Sequence, residues 1–230
     1  MTRLLVHVEG QTEEEFVNEV LAPHLYNFGF TWVAARLVGG PRARKRRGGI
    51  CGWPIVRTEV AKHLSDDTNA FATTIVDYYA LPKSGVNGWP GRDTCEHLAV
   101  PQQAQHIVDA LAADFSARHG EHLAGRFIPF IAMHEFEGLL FSHPDRMAQG
   151  MGLSALSGSF QNIRGSFATP EHINDSPITA PSKRILDLVP GYQKVLHGNL
   201  AAIEVSLPTM RSECEVFASW LSRLEALQNA

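Results

Sequence analysis

Residues 3–20, RLLVHVEGQTEEEFVNEV, decide how the rest of the chain is read. Leu4, Leu5, Val6 and Val8 make a short apolar run of the kind that forms a buried strand, and Gly10 supplies a tight turn. A helix follows, because Phe16, Val17, Val20, Leu21 and Leu25 recur at helical spacing. Thr12 and Glu15 have capping-box spacing, so the helix is expected to begin there, and Pro23 is expected to kink it. Glu9 is then left at the carboxyl end of the first strand, beside a glycine that lets a ligand approach. In open α/β sheets that edge is where ligands bind. Taken alone, Glu9 reads equally well as a solvated strand-end acid.

Outward from this unit the pattern repeats. Residues 31–38 read as a second strand, and Pro54 suits the first turn of a helix through Val56, Val60 and Leu64. Residues 70–76, AFATTIV, form a third strand that ends in Asp77. Residues 78–91 carry Pro82, Gly85, Asn87-Gly88 and Pro90-Gly91 and read as a long irregular loop that covers a site. A helix is expected over 100–119, and a fourth strand over 126–133 that runs into His134, Glu135, Phe136 and Glu137. Strand and helix alternate four times, which implies a parallel four-stranded sheet flanked by helices, a Rossmann-like α/β fold. From about Gly150 the composition shifts to Gly, Ser and Asn and then to helices; residues 208–227 read as one helix with Phe217, Trp220, Leu221 and Leu224 inward. Residues 1–150 are expected to be the α/β core and 151–230 a C-terminal helical layer on the same core.

The composition narrows the class. The chain has 230 residues, 44% of them hydrophobic and 19% charged, with a net charge of −4, so nucleic-acid binding would have to rest on a local patch. One patch stands out: Arg42, Arg44, Lys45, Arg46 and Arg47, bracketed by glycines. It reads as a mobile surface loop suited to phosphate contacts, or as a solvated charge run. The 3 cysteines, Cys51, Cys95 and Cys214, are far apart and form no CxxC pair, which argues against a disulfide framework or a zinc knuckle. No apolar run reaches transmembrane length and no signal peptide precedes the first strand, so a cytoplasmic location and no membrane contact are expected. There is no GxSxG and no P-loop, so acyl transfer by a serine and intrinsic ATP hydrolysis have no support.

The chemistry lies in the acids. Glu9, Asp77, and Glu135 with Glu137 follow three of the four expected strands, and in a parallel sheet those ends share one edge. Converging carboxylates repel one another, and an oxygen-only set suits magnesium or manganese, which polarises a phosphodiester and acidifies a bound water. The other reading is separate acids paired with local lysines and arginines. His134 either positions a water or is hydrogen-bonded at its strand end. Lys183 and Arg184, just after Pro181-Ser182, make either a helix-terminus phosphate site or a surface cap. Glu13 reads as an acid favoured by the helix dipole rather than as an outer ligand.

Four motifs, VEGQTEEEFV, VDYYALP, HEFEGLLF and INDSPITAPSKRI, give the chain a resemblance to the Toprim-related domain-of-unknown-function family 4276. The wider Toprim group includes topoisomerases, primases and nucleases of the overcoming-lysogenization-defect type. The resemblance implies a Toprim-like fold and a magnesium-dependent nuclease acting on nucleic acid in a defence-type system, working with an ATPase partner. It places Glu9 as the strand-end glutamate, general acid/base or metal ligand, and Asp77 as the first aspartate of an Asp-x-Asp pair. The second position of that pair is Tyr79, so Glu135 or Glu137 is expected to supply the missing ligand. The alternative is a non-catalytic Toprim-like module that binds nucleic acid or the ATPase. Either reading leaves room for a homo-oligomer.

Overall fold

The computed structural model describes residues 1–39, 50–173 and 179–227. The basic run and its five cations therefore lie outside the described residues. Four strands, β1 (Thr2–Val8), β2 (Phe30–Leu37), β3 (Ala70–Ile75) and β4 (Phe127–Ile128), form one sheet in the order β2-β1-β3-β4. Every pairing is parallel, as the strand–helix alternation implied. The apolar run 4–8 takes a central place because it can be buried on both faces. Leu4, Val6 and Val8 face one layer with Phe16, Leu21, Phe160, Phe217 and Leu224. Ala72 and Val76 face the other, with Trp53, Val60, Leu64, Ile107 and Phe115.

The first helix runs as α1 (Gln11–Phe16), a π-helical turn (Val17–Leu21) and α2 (Ala22–Tyr26). Pro23 has no amide to donate, and the widened turn before it absorbs the irregularity expected there. The cap differs from the expectation. Gly10 is the N-cap, and Glu13 reaches back to accept the Gly10 amide at 2.9 Å, whereas Glu15 is exposed. Next come α3 (Trp53–Asp66), α4 (Val100–His119) and the short α5 (Glu121–Ala124). The loop between β3 and α4 is packed down: Trp89 is buried against Trp53, and the buried Arg92 guanidinium lies 3.8 Å over the Tyr78 ring.

The fourth strand is much shorter than the expected 126–133. Pro129 removes a ladder donor, and the Thr74 hydroxyl takes over beside it, donating to the Phe130 carbonyl at 2.8 Å and accepting the Phe130 amide at 3.0 Å. The pairing resumes only as a bridge between Asp77 and Ala132. Beyond it lie α6 (Glu137–Leu140), α7 (Pro144–Gly150), α8 (Ser157–Gly165), α9 (Pro181–Leu188) and α10 (Lys194–Val205). The tail expected as one helix is two, α11 (Leu207–Glu213) and α12 (Glu215–Ala226). The break at Cys214 is stabilised from a distance: the buried Glu171 carboxylate accepts the amides of Val216 and Phe217, both at 3.0 Å. No helix among the described residues is long and apolar enough to cross a membrane.

Candidate functional site

Parallel strands carry their carboxyl ends to one edge, and the residues just past β1 and β3 meet there. Glu9 follows β1, and its Oε2 lies 3.4 Å from the Asp77 amide that follows β3. A side chain at Gly10 would meet the Glu13 carboxylate at 3.0 Å, so the glycine makes room for Glu13 to fold back over the turn. Asp77 is buried and accepts the Phe136 amide at 2.8 Å, which fastens the segment after β4 to the end of β3. Glu135 accepts the Ser182 amide at 2.8 Å and so ties the start of α9 to the same edge. Glu137 opens α6 and is fully buried.

His134 occupies a left-handed backbone conformation, φ 63°, that disfavours side chains with a Cβ. Its carbonyl accepts the Tyr79 amide at 3.0 Å, and its ring stands edge-on to Tyr78. Such strain persists where surrounding contacts over-determine the backbone. It turns the chain sharply between β4 and the two glutamates.

Sequence reasoning missed two members of the site. Lys194, the first residue of α10, places its Nζ 3.1 Å from Glu137 and 3.8 Å from Asp77. The Tyr192 hydroxyl is buried beside them. A lysine at a helix amino terminus opposes the helix dipole, and that mismatch was the signal available in the sequence. Glu13, read as a dipole-favoured acid, is itself buried within the group. The structure thus brings together Glu9, Glu13, Asp77, Glu135, Glu137 and Lys194. Lys183 is exposed on α9, and Arg184 donates to the Thr179 carbonyl and lies over Phe167.

The balance of charge is negative. Burial, then the Glu13 carboxylate, pushes the Glu9 pKa up to about 7. Burial raises Asp77 well above the ordinary aspartate value and raises Glu137, with Lys194 opposing both shifts. Burial by itself would lower Lys194, but Glu137, Asp77, Glu13 and Glu135 outweigh it and hold the ammonium charged.

A divalent cation suits this donor set in chemistry. All the donors are carboxylate oxygens, and the acids outnumber the one ammonium. Yet among the described residues no three acidic, histidine or cysteine side chains are grouped so as to hold one ion as they stand.

The family model described as Domain of unknown function (DUF4276) matches residues 8–225. The chain belongs to that family. Its match takes in the acids of the sheet edge and Lys194. A solved structure titled as the C-terminal region of the OLD protein of Xanthomonas campestris pv. campestris is similar at 16% identity and a TM-score of 0.43, over 100% of this chain and 98% of that one. No curated protein matches this DUF4276 member.

Proposed function

We propose that the chain is a Toprim-like nuclease, a magnesium- or manganese-dependent phosphodiesterase acting on nucleic acid within a defence-type system, with an ATPase as its partner. The observation that carries this reading is the convergence of Glu9, Asp77 and Glu137 on one sheet edge with more negative charge than Lys194 neutralises. Glu9, Asp77, Glu135 and Glu137 would hold the ion, which when bound supplies Lewis-acid polarisation of a phosphoryl oxygen and an acidified water. Without a metal the Glu9 pKa is raised to about 7, so a proton competes with the ion for this carboxylate; only where Glu9 stands off the ion is it suited to exchange a proton at working pH. His134, held rigidly by its neighbours at the same edge, is suited to orient a phosphate oxygen or water.

The test is cleavage of single- and double-stranded DNA and RNA with magnesium or manganese. Glu9→Gln and Asp77→Asn are each expected to reduce the rate by at least about a hundredfold. Metal-dependent cleavage that persists in both variants, alone or with the ATPase, rules the reading out.

The basic run is proposed as the phosphate-contacting segment. β2 ends at Leu37, paired with Val8, so the chain leaves the described region at Gly39 on the edge that carries Glu9. Replacing Arg44, Lys45, Arg46 and Arg47 with alanine is expected to weaken nucleic-acid binding and flatten its salt dependence, since each lost phosphate contact removes roughly one released counterion. An unchanged slope would mean a solvated surface run.

A second reading, a non-catalytic binding module, is favoured by Tyr79 in the place of the second aspartate and by the ion pair that Lys194 makes with Asp77. Calorimetric titration with manganese separates the two. Heat that disappears in Glu9→Gln supports the metal centre, and no heat at millimolar metal supports the module.

A further inference from the structure

We infer that Lys194 is the resident counter-ion of the acid cluster, and that a divalent metal ion enters by displacing its ammonium. This rests on the proposed metal-dependent reading and adds how the site is kept closed to metal. Two observations meet here. Glu137 is fully buried, and the charge facing it is Lys194 Nζ at 3.1 Å. The same nitrogen lies 3.8 Å from Asp77, so the ammonium sits between two of the acids that a metal would need. With the ammonium in that position, no three carboxylates among the described residues are grouped so as to hold one ion.

An ammonium and a divalent ion repel strongly at such separations, so the two cannot share the space. The lysine is built to leave. Its side chain keeps 41% of its exposure, so the stem already runs from the acids out to solvent. α10 can stay in place while the stem rotates, because the helix is seated by other contacts; Gly198, for example, lies close against Thr12 and the Tyr192 hydroxyl. The helix dipole at the start of α10 also favours release of a cation. The device keeps the acids paired when metal is scarce and frees a mobile cation beside the site when metal arrives.

Two measurements on the full chain test this. The first is calorimetric titration with manganese of the wild type, Lys194→Met and Lys194→Arg. Removing the charge while keeping the stem is expected to tighten manganese binding by about tenfold or more, whereas arginine leaves it weak. The second needs no variant. Acylation of Lys194 by an N-hydroxysuccinimide ester is expected to speed up several-fold on adding manganese, with the exposed Lys62 unchanged as internal reference. If Lys194→Met does not fold, the acylation rate decides alone. Equal or weaker manganese binding in Lys194→Met, or acylation that stays constant or slows with metal, overturns the inference. If Glu9-dependent cleavage is present alongside such a result, only this inference falls. If neither the wild type nor Lys194→Met binds manganese, the metal-dependent reading falls with it.

Discussion

At the scale of single residues, the acids at the sheet edge are a burden that the fold carries. Glu9 is the clearest case, because its pKa is raised to about 7, chiefly by burial. The unfolded chain ionises this group near its ordinary value, so between roughly pH 4.5 and 7 the folded state binds more protons than the unfolded state. Stability contributed at this position therefore falls as pH rises through that window, and the penalty is fully present above it. Glu9→Gln is expected to raise the melting free energy at pH 8 by on the order of 1–3 kcal/mol, and to change it little near pH 4.5. Thermal melts at the two pH values in chelator check this; an equal effect at both would show that Glu9 does not pay a burial penalty. The position is one where function and stability pull apart, as the loss of cleavage in the same variant would show.

At the scale of elements, several boundaries are set by side chains far away in sequence. The start of α12 depends on Glu171, whose carboxylate takes two amides that no residue of the helix itself can satisfy. Glu171→Ala is expected to destabilise the chain by about 1–3 kcal/mol, since it leaves buried donors without acceptors. Hydrogen exchange at the Val216 and Phe217 amides should speed up well beyond that of the middle of α12. An unchanged exchange pattern would mean that water replaces the carboxylate without loss. The shortening of β4 has the same origin: Pro129 interrupts the ladder locally, but it is the Thr74 hydroxyl, on a neighbouring strand, that decides how the gap is closed.

At the scale of the whole molecule, one core layer runs from Leu4 of β1 to Leu224 of α12. Trp220 pins α12 to the sheet at β3 and to the segment after β4. It stacks on Phe130 with ring centroids 4.3 Å apart, and its indole nitrogen donates to Thr73 on β3 at 2.9 Å. Residues on either side of position 150 thus share their buried surface, and the chain is expected to unfold in one cooperative transition. Far-ultraviolet and near-ultraviolet signals should coincide through a urea melt. Trp220→Ala should shift that single transition by about 3–5 kcal/mol rather than split it. Two separated transitions would instead mean that the helical layer folds on its own.

The sequence by itself determined the parallel α/β sheet, because alternation of apolar strands with helical periodicity leaves few other arrangements. It also placed Glu9, Asp77, Glu135 and Glu137 on a common edge, since parallel strands share their carboxyl ends. The role of Lys194 was decided only by tertiary structure. It lies 117 positions beyond Asp77, and no local pattern links a helix start to a distant strand end. The capping of α1 by Gly10 and Glu13, the break at Cys214 and the truncation of β4 were likewise settled by partners brought together in space. Hydrophobic periodicity reports which face of an element is buried, and it says nothing about which polar group will meet an open amide or an unpaired carboxylate there.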